Sequence, residues 1–243
     1  MELTSIDDSP AVAREESTVI SKARVTDHGE VLTGAREVNA MLDLVKSETE
    51  RIDSRFLEPA CGNGNFLAEI LRRKLGIVEK RYAKSQLEFE RYAVLAVTSI
   101  YGIDILPDNV QSCRKRLLGI FDEKYRRLFK DKTKDGCSHA VRFILERNII
   151  WGDALTLKHV GDQSAYIVFS EWSPINGNLL KRRDFTFHAL LRHEETRQAL
   201  LFPDLGKKSA EQMPLFSDLG EDVFIPTPVK EFPPTHFLEV AHA

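Results

Sequence analysis

Between Arg55 and Leu75 the chain reads as a short apolar strand, a turn holding two glycines and an amphipathic helix, a succession that leaves few architectures open. The run Arg55-Phe-Leu-Glu-Pro59 is followed by Ala60-Cys-Gly-Asn-Gly64. Then comes Asn65 to Leu75, where Phe66, Leu67, Ile70 and Leu71 fall on one helical face. Gly62 and Gly64 permit a backbone path that a Cβ would obstruct, so the turn can approach a ligand closely. The following helix offers its unpaired N–H groups and positive dipole end at the same place. A lone Gly-x-Gly says little; its position between strand and helix gives it weight.

The alternation continues down the chain. Val38, Met41, Leu42 and Val45 recur at helical spacing, and a second helix is expected over about Lys84 to Ala96. Thr98 to Leu106 reads as a strand with Asp104 near its C-terminal end. Pro107 suits the first turn of a helix reaching about Phe129. Residues 131–136 read as a polar loop, and strands are expected at Asn148–Trp151, Tyr166–Glu171 and Phe185–Leu190. Strands alternating with helices predict an α/β fold, a parallel sheet with helices on both faces, over residues 24–200. Residues 1–23 lack apolar periodicity and read as a mobile arm. Prolines 203, 214, 226, 228, 233 and 234 make residues 201–243 an irregular, extended tail.

The chain has 243 residues, 42% hydrophobic and 29% charged, the balance of a soluble globular protein. No apolar run approaches the roughly 20 residues that span a bilayer, so no membrane association is expected. The polar, acidic N-terminus lacks the form of a signal peptide. Cys61, Cys113 and Cys137 show no CxxC spacing, so neither a disulfide framework nor a metal site is suggested, and a cytoplasmic, reduced setting is expected. The net charge of -3 gives no global attraction to nucleic acid. Basic residues nevertheless cluster between Arg114 and Lys134 and at Lys181-Arg182-Arg183. These clusters can be phosphate contacts or solvated faces.

Two further acids follow strands. Asp104 is placed to accept from ribose hydroxyls, and Asp153, in Gly152-Asp-Ala-Leu155, from the exocyclic amine of an adenine. Ligand-type groups at the C-terminal ends of three successive strands suit a nucleoside cofactor.

Phe56-Leu-Glu-Pro-Ala-Cys-Gly-Asn-Gly-Asn-Phe-Leu67 resembles the S-adenosylmethionine (SAM) motif of N6-adenine DNA methyltransferases, including the modification subunits of restriction systems. Gly29-Glu-Val-Leu-Thr33-Gly34 is similar to that family's Gly-x-x-x-Thr-Pro motif, with the Pro replaced. Tyr101-Gly-Ile-Asp-Ile-Leu-Pro107 looks like its ribose motif, and Trp151-Gly-Asp-Ala-Leu155 like its adenine-contacting motif. The resemblance covers about residues 24–158. It implies a SAM-dependent methyltransferase fold, with Thr33, Glu58, Ala60, Gly62, Gly64, Asp104, Ile105, Asp153 and Ala154 lining the cofactor pocket. It also implies methylation of adenine N6 in DNA, within a restriction-modification or related defence system, with a specificity or restriction subunit as partner.

The catalytic motif departs from the pattern. The family has a polar residue, two prolines and an aromatic, which together hold a flipped adenine. This chain reads Phe169-Ser-Glu-Trp-Ser-Pro-Ile-Asn-Gly177, so Ile175 and Asn176 replace the second Pro and the aromatic. Either Ser173 and Pro174 accept from the amine while Trp172 supplies the stacking face, or the loop is inactive and the chain is a SAM-binding module in a larger complex.

In the tail, Gln198-Ala-Leu-Leu-Phe-Pro-Asp-Leu-Gly206 and Gln212-Met-Pro-Leu-Phe-Ser-Asp-Leu-Gly220 repeat one pattern. Both look like the Gln-x-x-Leu-Phe peptide that docks on the bacterial sliding clamp, through Gln198–Phe202 or Gln212–Phe216. Equally, Leu and Phe can anchor the tail onto the protein's own core.

Overall fold

The structure is a computed structural model that describes residues 33–192 and 226–242. Two short helices, α1 (Ala35–Asp43) and α2 (Lys46–Thr49), lead into strand β1 (Phe56–Glu58). Helices α3 (Asn65–Tyr82) and α4 (Gln86–Thr98) carry the chain to β2 (Ile100–Asp104). Helices α5 (Pro107–Phe129) and α6 (Asp135–Asn148) then carry it to β3 (Ile149–Asp153) and the short β4 (Lys158–His159). A hairpin follows, β5 (Val168–Pro174) and β6 (Leu179–Thr186), and residues 187–192 are helical. Within residues 226–242 come β7 (Lys230–Glu231), β8 (Thr235–His236) and a 3-10 turn at Val240–His242.

Strands β1, β2 and β3 pair in parallel in that order, with β4 added antiparallel at the edge. The fold is therefore mixed α/β, as expected, but its sheet is only partly parallel. Side chains alternate across it as the pleat requires. Ile100 and Ile149 point into the larger core built with the four long helices, whereas Tyr101, Ile103 and Ile150 point to the other face. Gly102 lies on the helix side, where a Cβ would come within 2.9 Å of Leu67 and 3.1 Å of Cys61, so glycine lets α3 settle against the strand.

Helix and strand share the second face of the sheet. It is covered by Ile167 and Phe169, just before and within β5, and by Phe187 and Leu190 from the helical residues 187–192, while β5, β6, β7 and β8 form a second, antiparallel sheet. The reason is legible locally. Asn176-Gly177 lies between two strand-forming runs, Gly177 has φ +74°, and the Ile175 N–H bonds to the Leu179 carbonyl, which makes a tight hairpin. The strand expected at Tyr166–Glu171 is thus shifted to Val168–Pro174. Phe185–Leu190 is the end of β6 running into a helical turn.

Residues 226–242 depart from the extended reading of the tail. They add β7 and β8 to β6, bury Phe237 and Val240 in the larger core, and set the 3-10 turn at Val240–His242 against α6. Both Gln-x-x-Leu-Phe segments lie outside the described residues. The loop expected at 131–136 is a 3-10 turn, Lys130–Lys132, after which α6 starts at Asp135.

Under α3, Lys74 is fully buried and donates to the carbonyls of Arg51 (3.0 Å), Ile52 (3.1 Å) and Ser54 (2.5 Å) and to the Ser99 hydroxyl (2.8 Å). This ammonium fastens the loop before β1 to the helix after it. Among the described residues no helix is long and apolar enough to cross a membrane.

Candidate functional site

The C-terminal ends of β1, β2 and β3 lie side by side because the three strands are parallel and in register, Glu58 beside Gly102 and Asp104 beside Trp151. Every loop leaving that edge opens on the same surface, where open α/β sheets bind ligands.

The glycine turn is built to be rigid. Gly62 and Gly64 have φ +52° and +87°, values that L side chains resist. A Cβ on Gly64 would also sit 2.7 Å from the Cys113 sulfur of α5. That second glycine is therefore required by packing onto α5, and not only by access for a ligand. Cys61 and Cys113 are buried against each other, and their contact and burial push the Cys61 thiol well above its ordinary range.

Asp104 joins the turn to the next strand. Its Oδ2 accepts the Gly62 N–H at 2.7 Å, and its Oδ1 accepts the Leu106 N–H at 2.9 Å and the Asn109 amide at 3.2 Å. A carboxylate offers about four acceptor positions. Three are used, and one lone pair on Oδ2 is left beside the turn, without a protein donor among the described residues. The acid is thus first a brace and second an acceptor for one ligand hydroxyl.

Thr33 comes to the same place by another route. Its carbonyl accepts the Asn65 amide at 2.9 Å, while the Asn65 oxygen accepts from Arg116 at 2.6 Å. Arg116 also reaches Asn63 at 3.3 Å. Asn65 and Arg116 were missed in the sequence because an Asn at a helix start and an Arg within a charged run are both ordinary.

Glu58 is half-buried at the end of β1, and burial raises its carboxyl above the usual range, opposed by a hydrogen bond from the Ala60 N–H. A cationic group arriving there would offset that burial. Asp153 accepts the Leu155 N–H at 2.8 Å and the Thr156 hydroxyl at 3.0 Å, and these bonds hold it below the ordinary range. Ala60 is exposed and Ala154 half-buried at the same edge, and Ile105 stands 49% exposed there. A nucleoside has hydroxyls, an amine and an apolar face. The acceptors and exposed apolar groups of this edge match that donor set.

The three residues expected to act on a target base are elsewhere. Trp172 is buried, its indole N–H donates to the Asn148 side chain at 3.0 Å, and its ring meets Phe143 edge-on. Asn148 in turn bonds the carbonyls of Thr98 and Ile100, at the N-terminal end of β2. The length of the sheet, roughly 13 Å at about 3.3 Å per residue, separates Trp172 from the glycine turn. Ser173 and Pro174 end the strand before the hairpin turn, opposite Lys181 and Leu180. The structure does not bring Trp172, Ser173 and Pro174 to the glycine turn and the acids at the strand ends, because Asn176-Gly177 folds this stretch as a hairpin.

Most of the basic clusters are engaged within the protein. Arg114 bonds the carbonyls of Glu146 and Ile149, Lys124 and Arg127 pair with Glu79, and Lys134 pairs with the buried Glu90. Lys181, Arg182 and Arg183 pair with Glu231, Asp184 and Glu171. A groove of about 330 Å³ between α5 and α6, lined by Arg114, Lys115, Arg142 and Glu146, lies away from the glycine turn. It carries charges of both signs, and the geometry of the three strand ends is the stronger guide to a site.

Fold and site together define a mixed α/β protein with a braced glycine turn and three acids, Glu58, Asp104 and Asp153, at the C-terminal edge of its parallel strands. No family model, curated protein or solved structure matches the chain.

Proposed function

We propose that this chain is the SAM-binding unit of an adenine-N6 DNA methyltransferase, with the groups that receive the target base supplied by a partner subunit. The observation that carries the reading is the 2.7 Å bond from the Gly62 N–H to Asp104, which fixes the glycine turn beside an acceptor on the neighbouring strand. When bound, SAM supplies an electrophilic methyl group on its sulfonium. Asp104 then accepts from a ribose hydroxyl with its remaining lone pair, Asp153 accepts from the exocyclic amine, and Glu58 meets the cationic amino-acid end. Thr33 and Ala60 line the approach, and Ile105 and Ala154 supply apolar contact. Adenine N6 in DNA as the acceptor, and a defence setting, rest on the motif resemblance. The position of Trp172 across the sheet supports a divided machinery over catalysis by this chain alone.

Two measurements test the reading. Calorimetry of the purified chain should give heat with SAM and with its demethylated product; no heat with either ends the proposal. Radiolabelled SAM and unmethylated DNA should give labelled DNA only when host lysate lacking this chain is added back to it, and not with lysate or chain alone. Label transferred by the chain alone would return catalysis to it and remove the partner.

A further inference from the structure

Trp151 has no role in the reading above, yet it is the register partner of Asp104. Partners in a parallel pair project to the same face, so its indole and the Asp104 carboxylate leave the sheet together, with Asp153 two residues further on that face. The ring is held, not loose. Its N–H donates to the Ile105 carbonyl at 3.0 Å, and a Cβ on Gly161 would lie 3.5 Å from its six-membered ring, so one edge is backed by the turn after β4. Even so the residue is 39% exposed, beside Ile105 at 49%. An indole fixed by its polar atom and partly exposed, beside two carboxylates on the same face of the sheet, is a platform for a planar ring that carries amine donors.

We infer that Trp151 is the stacking face for the adenine ring of the cofactor, packed across from Ile105, with Asp153 oriented toward the exocyclic amine. The inference rests on the SAM-binding reading and adds the residue on which the base stacks. Stacking of a base on an aromatic side chain is worth enough that truncation weakens binding by about tenfold or more.

The chain holds two tryptophans, and Trp172 is buried in the core, which makes the test direct. Titration with SAM, and separately with adenosine, should change the intrinsic fluorescence of the intact chain and shield it from acrylamide. In Trp151→Phe that fluorescence response should vanish, while calorimetry still finds SAM affinity within about threefold. Trp151→Ala should bind about tenfold or more weakly. Heat with SAM but no change in fluorescence, or wild-type affinity in Trp151→Ala, would overturn the assignment of Trp151 and leave the SAM reading intact. No heat from the wild-type chain would overturn both.

Discussion

The guanidinium of Arg116 grips the side-chain oxygen of Asn65 at 2.6 Å, so α5 holds the first residue of α3 from the side. The other end of that amide holds the Thr33 carbonyl. Three segments far apart in the chain are thereby joined at one asparagine.

Loss of Arg116 should loosen this junction without unfolding the core. Arg116→Ala is expected to weaken SAM binding by about fivefold, in line with about 1 kcal/mol for one hydrogen bond, with Arg116→Lys intermediate. Calorimetry alongside a thermal melt separates the two effects. Unaltered affinity in Arg116→Ala would mean that the junction does not bear on the cofactor.

Asp104 should matter for stability even without ligand. Asp104→Ala removes an acceptor of two backbone N–H groups, and hydrogen bonds to a charged group are worth about 1.5–3 kcal/mol. A fall in Tm of about 4–10 °C is expected for a protein of this size, together with weakened SAM binding. A melt indistinguishable from wild type would contradict the bracing role.

Lys74 should impose a pH dependence on stability. Burial lowers its amine to about 7 in the folded protein, against about 10.4 unfolded. Between these values the unfolded chain binds more protons, so stability should rise as pH increases from about 7 to about 10.4 and be flat below 7. Lys74→Met removes that slope. It also strips a donor from three carbonyls, two of them in buried hydrogen bonds, at a cost of about 2–4 kcal/mol. Urea unfolding at several pH values reads both effects. An identical slope in the variant would locate it in another group.

Trp172 gives the contrast with Trp151. As a core residue hydrogen-bonded to Asn148, its replacement by Ala should cost about 3–5 kcal/mol. Trp172→Phe should leave SAM affinity unchanged. A loss of SAM affinity in the well-folded Phe variant would place Trp172 in the binding machinery after all.

How much of this was readable from the chain differs from element to element. The strand–glycine–helix unit from Phe56, read as far as Leu75, the long helix from Pro107 and the strand ending at Asp104 follow from local periodicity and turn chemistry, and all are present, the first helix running on to Tyr82. Helix α6 is legible in the sequence as well, since Cys137, Ala140, Val141, Ile144 and Leu145 form its buried face. The Asn-Gly hairpin was legible too.

Local sequence determined the three parallel strands, the left-handed turn at Gly62 and Gly64, and the acids that follow β2 and β3, because each rests on interactions between near neighbours in the chain. Only the tertiary structure decided what covers the second face of the sheet and where β5 lies. Alternating Phe169 and Trp172 would bury equally well as a further parallel strand or as a hairpin laid across Tyr101 and Ile103. That choice turns on which apolar surfaces distant segments can bury together, a sum no local pattern contains. The same sum moved Trp172 into the core and left Trp151, unremarked in the sequence, exposed beside Asp104.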